Sequence, residues 1–276
     1  MMESEYKSLK ITEASSGVYN LILNQAATLN ALSPDFFAEF PKALSYLDSN
    51  PDVSVILLSG TGNHFCAGID INSLKAITTT STPSSDRGRA TESLRRHILY
   101  MQDAINSIER CRKPVIACVH GACIGGGIDV ITACDVRFCT ESAVFSVKEV
   151  DLAIVADLGT LQRLPRIVGY ANAMDLALTA RRFSGSEAQK FGLVSKVFAS
   201  KAAMDEAVRD FAQGIAAKSP LAVTGTKAVL LRSRDMTLET ALDYVATWNA
   251  GAVISDDLTE AISAHSQKRK PVFAKL

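Results

Sequence analysis

The sequence predicts an α/β fold whose strands lie in the first 150 or so residues and whose last hundred residues are mainly helical. Three observations predict it. Short β-branched runs such as Val53 to Leu58 and Val115 to Val119 have the length and apolar character of buried strands. Amphipathic stretches separate them, each opened or closed by capping residues. Beyond Gly159, helical patterns follow one another with a single short strand at Val194 to Phe198.

In chain order, Leu9 to Asn24 alternates around Ser15-Ser16-Gly17 and reads as a hairpin. Ser33-Pro34 supplies an N-cap and a first-turn proline for a helix running to about Leu47. Asn50-Pro51-Asp52 ends it, and the strand Val53 to Leu58 follows. A turn-rich loop, Ser59 to Asp70, then feeds a helix from Asp70 to Ala76. The run from Thr78 to Gly88 is the one low-complexity piece and reads as a mobile loop near a ligand entrance. A long helix, Arg89 to Cys111, carries Leu94, Ile98, Met101, Ile105 and Ile108 on one face and is closed by Arg112-Lys113-Pro114.

The stretch from Val115 to Gly159 is the one the chain is organised around. Its strand enters a glycine cluster, Gly121 and then Gly125, Gly126 and Gly127, which opens a helix over Ile128 to Ala133. Glycines at such a turn let a ligand approach the main chain, and the free N–H groups of a helix start suit a developing negative charge. The spacing is neither a dinucleotide fingerprint nor a Walker loop. The loop at Ser59 to Asp70 repeats the same layout of strand, glycine-bearing loop and helix start, so two loops on neighbouring strands could aim backbone donors at one point. Three acids follow on apolar ground, Asp129, Glu149 and Asp157, separated by twenty and then eight residues. Asp157 is flanked by Ala153, Ile154, Val155, Ala156 and Leu158, a setting where a carboxylate is costly without a partner or a role.

Beyond Gly159 the helices are read at Thr160 to Val168, Ala171 to Ala180, Ser186 to Phe191, Lys201 to Ala217, Pro220 to Arg234, Leu238 to Ala250 and Asp256 to Lys268. The stripe Leu242, Val245, Ala246 and Trp248 is read first as internal core, although a helical appendage on a compact core also invites self-association.

The 276 residues carry a net charge of zero, so neither nucleic acid nor an anionic membrane surface is indicated as a partner. No charge-free apolar run is long enough to span a bilayer, and the first ten residues lack the pattern of a signal peptide. The six cysteines form no C-x-x-C pair and read as small core residues in a reducing compartment; no metal site is expected. The four histidines form no H-x-x-x-H pair and no Ser-His-Asp grouping appears.

Three motifs in order give the chain a resemblance to the crotonase (enoyl-CoA hydratase/isomerase) superfamily over nearly its whole length. Asn30-Ala31-Leu32 looks like the family's N-terminal motif, Phe65-Cys66-Ala67-Gly68-Ile69-Asp70 like its first oxyanion loop, and Gly121 through Asp129 like its second, with Gly126 and Gly127 at the helix start. The resemblance implies a spiral of ββα units with the active site in residues 1–200, and a helical oligomerisation region in residues 201–276 that forms a homotrimer or hexamer. It implies an acyl-CoA thioester substrate, no cofactor beyond the CoA of the substrate, and an enolate oxygen held by the N–H groups of Ala67 and Gly126. Within the family, hydratases have glutamates at the positions of Asp129 and Glu149 and usually a glycine at that of Asp157. The trio here looks instead like the 3,5-2,4-dienoyl-CoA isomerases of unsaturated fatty acid β-oxidation, which take a proton from C2 and return one at C6. On that resemblance Asp157 is the base at C2, Glu149 the donor at C6, and Asp129 supports them. An enoyl-CoA hydratase or 3,2-enoyl-CoA isomerase on the same scaffold is the alternative, and a non-catalytic acyl-CoA-binding subunit is a third. Many relatives carry a basic residue and a proline just before the position of Asn30, where this chain has Gln25-Ala26-Ala27-Thr28. Lys268, Arg269 and Lys270 are candidates for the CoA phosphates by charge alone. The final Ala274-Lys275-Leu276 resembles a peroxisomal address read by an import receptor.

Overall fold

The computed structural model describes residues 6–80 and 86–276. The centre of the expected entrance loop, residues 81–85, lies outside the described residues.

The expected hairpin forms β1 (Leu9–Ser15) and β2 (Val18–Leu23), antiparallel across a turn at Gly17, whose φ of +78° suits a residue without a side chain. Helix α1 (Pro34–Ser49) starts where Ser33 accepts from the Phe36 N–H, and it buries Phe36, Phe37, Phe40, Ala43, Leu44 and Leu47. The chain continues through β3 (Val55–Gly60), α2 (Ile71–Thr80) and α3 (Arg87–Arg110). α3 packs in the core from its middle onward, through half-buried Ile98 and then Met101, Ala104, Ile105 and Ile108, while Leu94 stays exposed.

From there the chain steps repeatedly between two sheets. β4 (Val115–Val119) lies in the large sheet, β5 (Ala122–Ile124) in a small one, and α4 (Gly126–Ala133) follows. β6 (Val136–Thr140) returns to the large sheet, β7 (Val144–Ser146) to the small one, and a 3₁₀ turn at Glu149–Leu152 leads to α5 (Thr160–Val168). This repeated strand, strand, helix step is the expected spiral. α6 (Tyr170–Thr179), β8 (Phe183–Ser184), α7 (Gly185–Lys190) and β9 (Lys196–Phe198) complete the sheets. The large sheet runs β1-β2-β3-β4-β6-β9, parallel apart from the opening hairpin, and the small one runs β5-β7-β8.

The remaining helices are α8 (Lys201–Ala216), α9 (Pro220–Ser233), α10 (Leu238–Ala252) and α11 (Asp256–Ser266). α8 buries Met204, Val208 and Ala212 against Val18, Val55, Leu57, Ile116, Cys118 and Phe138, so it closes the second face of the large sheet and belongs to the core. The layer beyond it is α9 to α11. None of the residues of α10 is buried: Leu242 and Trp248 are exposed and Val245 is half-buried, so α9, whose Gly225 faces the Trp248 indole, covers the stripe read as internal core only in part. One firm tie holds the layer down: buried Lys227 of α9 pairs with Asp135 at 2.7 Å and donates to the carbonyls of Ile108 and Lys113.

Candidate active site

Asn30 builds the first loop. Buried, with φ +55°, it donates through Nδ2 to the carbonyls of Thr61 (2.9 Å) and His64 (2.8 Å), and its Oδ1 accepts from the Gln25 N–H at 2.9 Å. All the hydrogen-bonding groups of a buried amide are used to shape neighbouring backbone, which makes the residue hard to replace. The loop then runs beside β5. The Cys66 N–H donates to Ala122 O and the Ile124 N–H to Cys66 O, each at 3.0 Å, so the two expected loops are joined by strand-like bonds.

Glycines let them meet. Gly125, with φ +50° and ψ −118°, turns the chain into α4 in a conformation open only to glycine. A side chain on Gly126 would stand 2.8 Å from Leu32 Cδ1, and one on Gly127 3.2 Å from the Cys66 carbonyl oxygen. A side chain on Gly68 would lie 3.1 Å from the Ile124 carbonyl oxygen and 3.8 Å from the Gly126 nitrogen. As the first residue of α4, Gly126 has no helical carbonyl for its N–H to bond. Ala67 differs from expectation, because its N–H already donates to the Leu29 carbonyl at 3.0 Å. The other residues of the loop support it. Ile69 forms a bridge with Leu32, and Asp70 accepts from the Asn72 N–H at the start of α2. Burial pushes the Cys66 thiol up to about 12, which leaves it protonated and unreactive.

The structure brings the three acids together. Asp129, on the first turn of α4, is fully buried and its Oδ1 accepts from both the N–H and the hydroxyl of Thr160 at 2.7 Å. Burial raises its carboxyl to about 7, the Thr160 bonds oppose this, and Glu149 and Asp157 push it further up. Glu149 opens the 3₁₀ turn and lies over Gly125. Its Oε2 is buried with no hydrogen-bond partner among the described residues, an orphaned acceptor of a kind native interiors rarely keep without a use. Burial raises its carboxyl, backbone N–H groups pull it back, and Asp157 raises it again.

Asp157 departs from its expected setting. It stands exposed on the rim, and of the apolar residues around it only Ala156 and Leu158 are buried, whereas Val155 is 70% exposed. The reason is local: Ala153, with φ +57°, closes the 3₁₀ turn and sends the chain across the surface before it dives back at Leu158. Enough protein still surrounds the carboxyl to raise it above its ordinary value. A cavity of about 670 Å³ between the end of α4 and α9 contains none of the three acids. Arg269, a charge-based candidate for CoA, is held by both oxygens of Glu260.

Thr160 and Leu29 escape a reading of the sequence as site residues. Gly159-Thr160 after an acid is a local hint, but the partner of Thr160 lies 31 residues away. The arrangement offers two joined loops with a helix-start donor between them and three carboxyls, each raised by burial and two of them further raised by their neighbours. It can hold an oxyanion and exchange protons with the carbon atoms next to it.

The family model described as enoyl-CoA hydratase/isomerase matches residues 13–275. The chain belongs to that family. It is 69% identical, across 100% of its own length and 99% of the relative, to the peroxisomal Delta(3,5)-Delta(2,4)-dienoyl-CoA isomerase of Arabidopsis thaliana. It is 40% identical to the mitochondrial protein of the same activity from Homo sapiens, over 97% of this chain and 82% of that one. Among solved structures, the enoyl-CoA hydratase of Bacillus anthracis superposes with a TM-score of 0.87 at 29% identity, covering 97% of this chain and 99% of that one. The crotonase fold expected from the three motifs is therefore the fold of this family member.

Proposed function

We propose that this protein is a peroxisomal isomerase that converts 3,5-dienoyl-CoA to 2,4-dienoyl-CoA, with Asp157 and Glu149 moving the proton. The observation that carries the reading is the third acid. Asp157 lies close enough to raise the carboxyls of both Asp129 and Glu149 by its charge. Relatives named for this reaction, at 69% and 40% identity, support it.

In this reading the thioester oxygen sits on the N–H groups of Gly126 and Ala67. The oxyanion must compete with the Leu29 carbonyl for the Ala67 donor, and a developing negative charge is the stronger acceptor. The N–H groups of such a hole are worth about 3 to 4 kcal/mol each. Burial raises both carboxyls, and we assign the proton to be given to Glu149, enclosed and with an orphaned oxygen, and the accepting carboxylate to the more exposed Asp157. Asp157 therefore takes the C2 proton, the electrons pass into a dienolate held at oxygen, and Glu149 gives its own proton to C6. One proton leaves and one arrives with no change of oxidation state, so the step needs no cofactor beyond the CoA of the substrate. Asp129, anchored by Thr160, ties the N-terminal turn of α4 to that of α5 beside the two proton carriers.

The second reading is an enoyl-CoA hydratase, favoured by the fold match to the B. anthracis enzyme. A hydratase needs two acids to hold one water and has no use for Asp157. Turnover of 3,5-dienoyl-CoA well above hydration of 2-enoyl-CoA supports the isomerase; faster hydration overturns it.

Two partner readings accompany the function. Leu238 of α10, Ile262 of α11 and Ile254 in the connection between them are exposed, consistent with self-association into a homotrimer or hexamer through this layer. The tail Ala274-Lys275-Leu276 serves as the address for the import receptor. Lys275 pairs with Asp52 at 2.5 Å, but both side chains are more than half exposed, so a receptor can release the contact readily.

A further inference from the structure

The segment that carries Asp157 is held from behind by polar side chains that the reaction itself does not use. Residues 154–159 have no helix or strand structure, so regular backbone bonding does not fix them. On α3, Gln102, Asn106 and Glu109 recur at a spacing that places them on one helix face, beside the apolar face of Met101, Ile105 and Ile108. Gln102 Nε2 donates to the Asp157 carbonyl at 2.6 Å. From α5, Arg163 Nη1 donates to the Leu158 carbonyl at 3.4 Å. The same guanidinium rests on α3, with Nη2 on Asn106 Oδ1 at 2.5 Å and Nε and Nη2 on the Glu109 carboxylate at 3.1 and 3.0 Å. Gly159, with φ +124°, makes room for it: a side chain there would lie 1.8 Å from Arg163 Nη1. Behind the segment is a polar cleft of about 400 Å³ bordered by these residues, so apolar packing reaches the segment through buried Ala156 and Leu158 while Asp157 between them is held on this side by polar contacts. Arg234, at the end of α9, reaches the same Glu109 at 2.7 Å and links the helical layer to the network.

We propose that Gln102, and Arg163 seated on Asn106 and Glu109, are positioning residues that fix the Asp157 carboxylate for proton abstraction. The proposal rests on the assignment of Asp157 as the base. A catalytic group displaced by about 1 Å can lose on the order of 10²-fold in rate, and two carbonyl contacts are what prevent that displacement here. The charged groups around Asp157 are Glu149 from the 3₁₀ turn, Asp129 from α4, and Arg163 behind it.

The test compares kcat, KM and the pH profile of kcat/KM for dienoyl-CoA isomerisation in the parent, Gln102→Met, Arg163→Lys and Asp157→Asn. Gln102→Met keeps length and removes the donor. It should lower kcat roughly 10- to 100-fold with KM nearly unchanged. It should also move the acidic limb to lower pH, because a loosened loop admits water to Asp157 and removes the burial that raises its carboxyl. Arg163→Lys keeps the charge facing Glu109 but cannot span all its partners, and should show the same pattern. Should that variant fail to fold, Gln102→Met decides alone, since its side chain is half-buried at the cleft. Parental kcat and a parental acidic limb in Gln102→Met, with Asp157→Asn inactive, overturn the positioning role alone. A fully active Asp157→Asn protein overturns the base assignment, and the proposal with it.

Discussion

Replacing Asp129 with asparagine should change how stability depends on pH in a direction fixed by its burial. The carboxyl is raised on folding from 3.8 to about 7, so the folded protein keeps a proton that the unfolded chain has released. The proton-linked stability is complete below about 3.8 and is lost as pH rises through about 7. At 1.36 kcal/mol per pH unit, holding this group ionised above pH 7 costs the fold on the order of 4 kcal/mol. Asparagine keeps an oxygen for both Thr160 donors and cannot ionise, so the variant escapes that cost. Urea unfolding of parent and variant at constant protein concentration and ionic strength, from pH 4 to pH 8.5, measures the difference. The variant should gain on the parent by roughly 2 to 4 kcal/mol across that range, with most of the gain between pH 4 and 7. A stability difference that stays flat with pH would refute the reasoning, because it would mean Asp129 is not desolvated in the folded state.

Three further outcomes follow from other contacts. Gly126→Val puts a branched side chain within 2.8 Å of Leu32 and displaces the helix-start donor, so turnover of every thioester should fall roughly 10²- to 10³-fold; steady-state rates on dienoyl and enoyl substrates check it. Lys227→Met leaves Asp135 without its cation beside the Ile108 and Lys113 carbonyls, and chemical denaturation should show a loss of about 3 to 5 kcal/mol. Removing Ala274, Lys275 and Leu276 should leave purified enzyme folded and active but cytosolic in cell fractions, and peroxisomal recovery of the truncated protein would place the address elsewhere.

Much of the framework was legible because its signals are local. The Ser15-Ser16-Gly17 turn, the Ser33-Pro34 cap and the run from Val115 to Val119 each announce their element within a few residues. The three-residue strands β5 and β7 were not, since a pattern of period two cannot be recognised over three positions. The glycines that read as a single turn therefore conceal a strand that joins the two loops. The helix from Lys201 to Ala217 was legible, but not that one of its faces covers the large sheet. At the site, the three acids and the two glycine loops were visible as residue types. Their supports were not, because Thr160 reaches Asp129 across 31 residues and Arg163 reaches Glu109 across 54. The apolar flank of Asp157 misled for a related reason. Composition gives the character of neighbours in sequence, whereas the turn at Ala153 decides whether they face the core or the solvent.

The central claim is that Asp157 is the group that takes the proton at C2, and one comparison addresses it directly. Asp157→Asn and Glu149→Gln are assayed with 3,5-dienoyl-CoA by the absorbance of the conjugated product, and thioester affinity is measured for each. Asp157→Asn keeps the size of the side chain and cannot accept the proton, so isomerisation should be abolished while binding survives. Glu149→Gln should be impaired in the same reaction, and less severely, because water can return the proton at C6. An Asp157→Asn protein that isomerises the diene at the parental rate, with thioester bound as tightly as in the parent, would contradict the account.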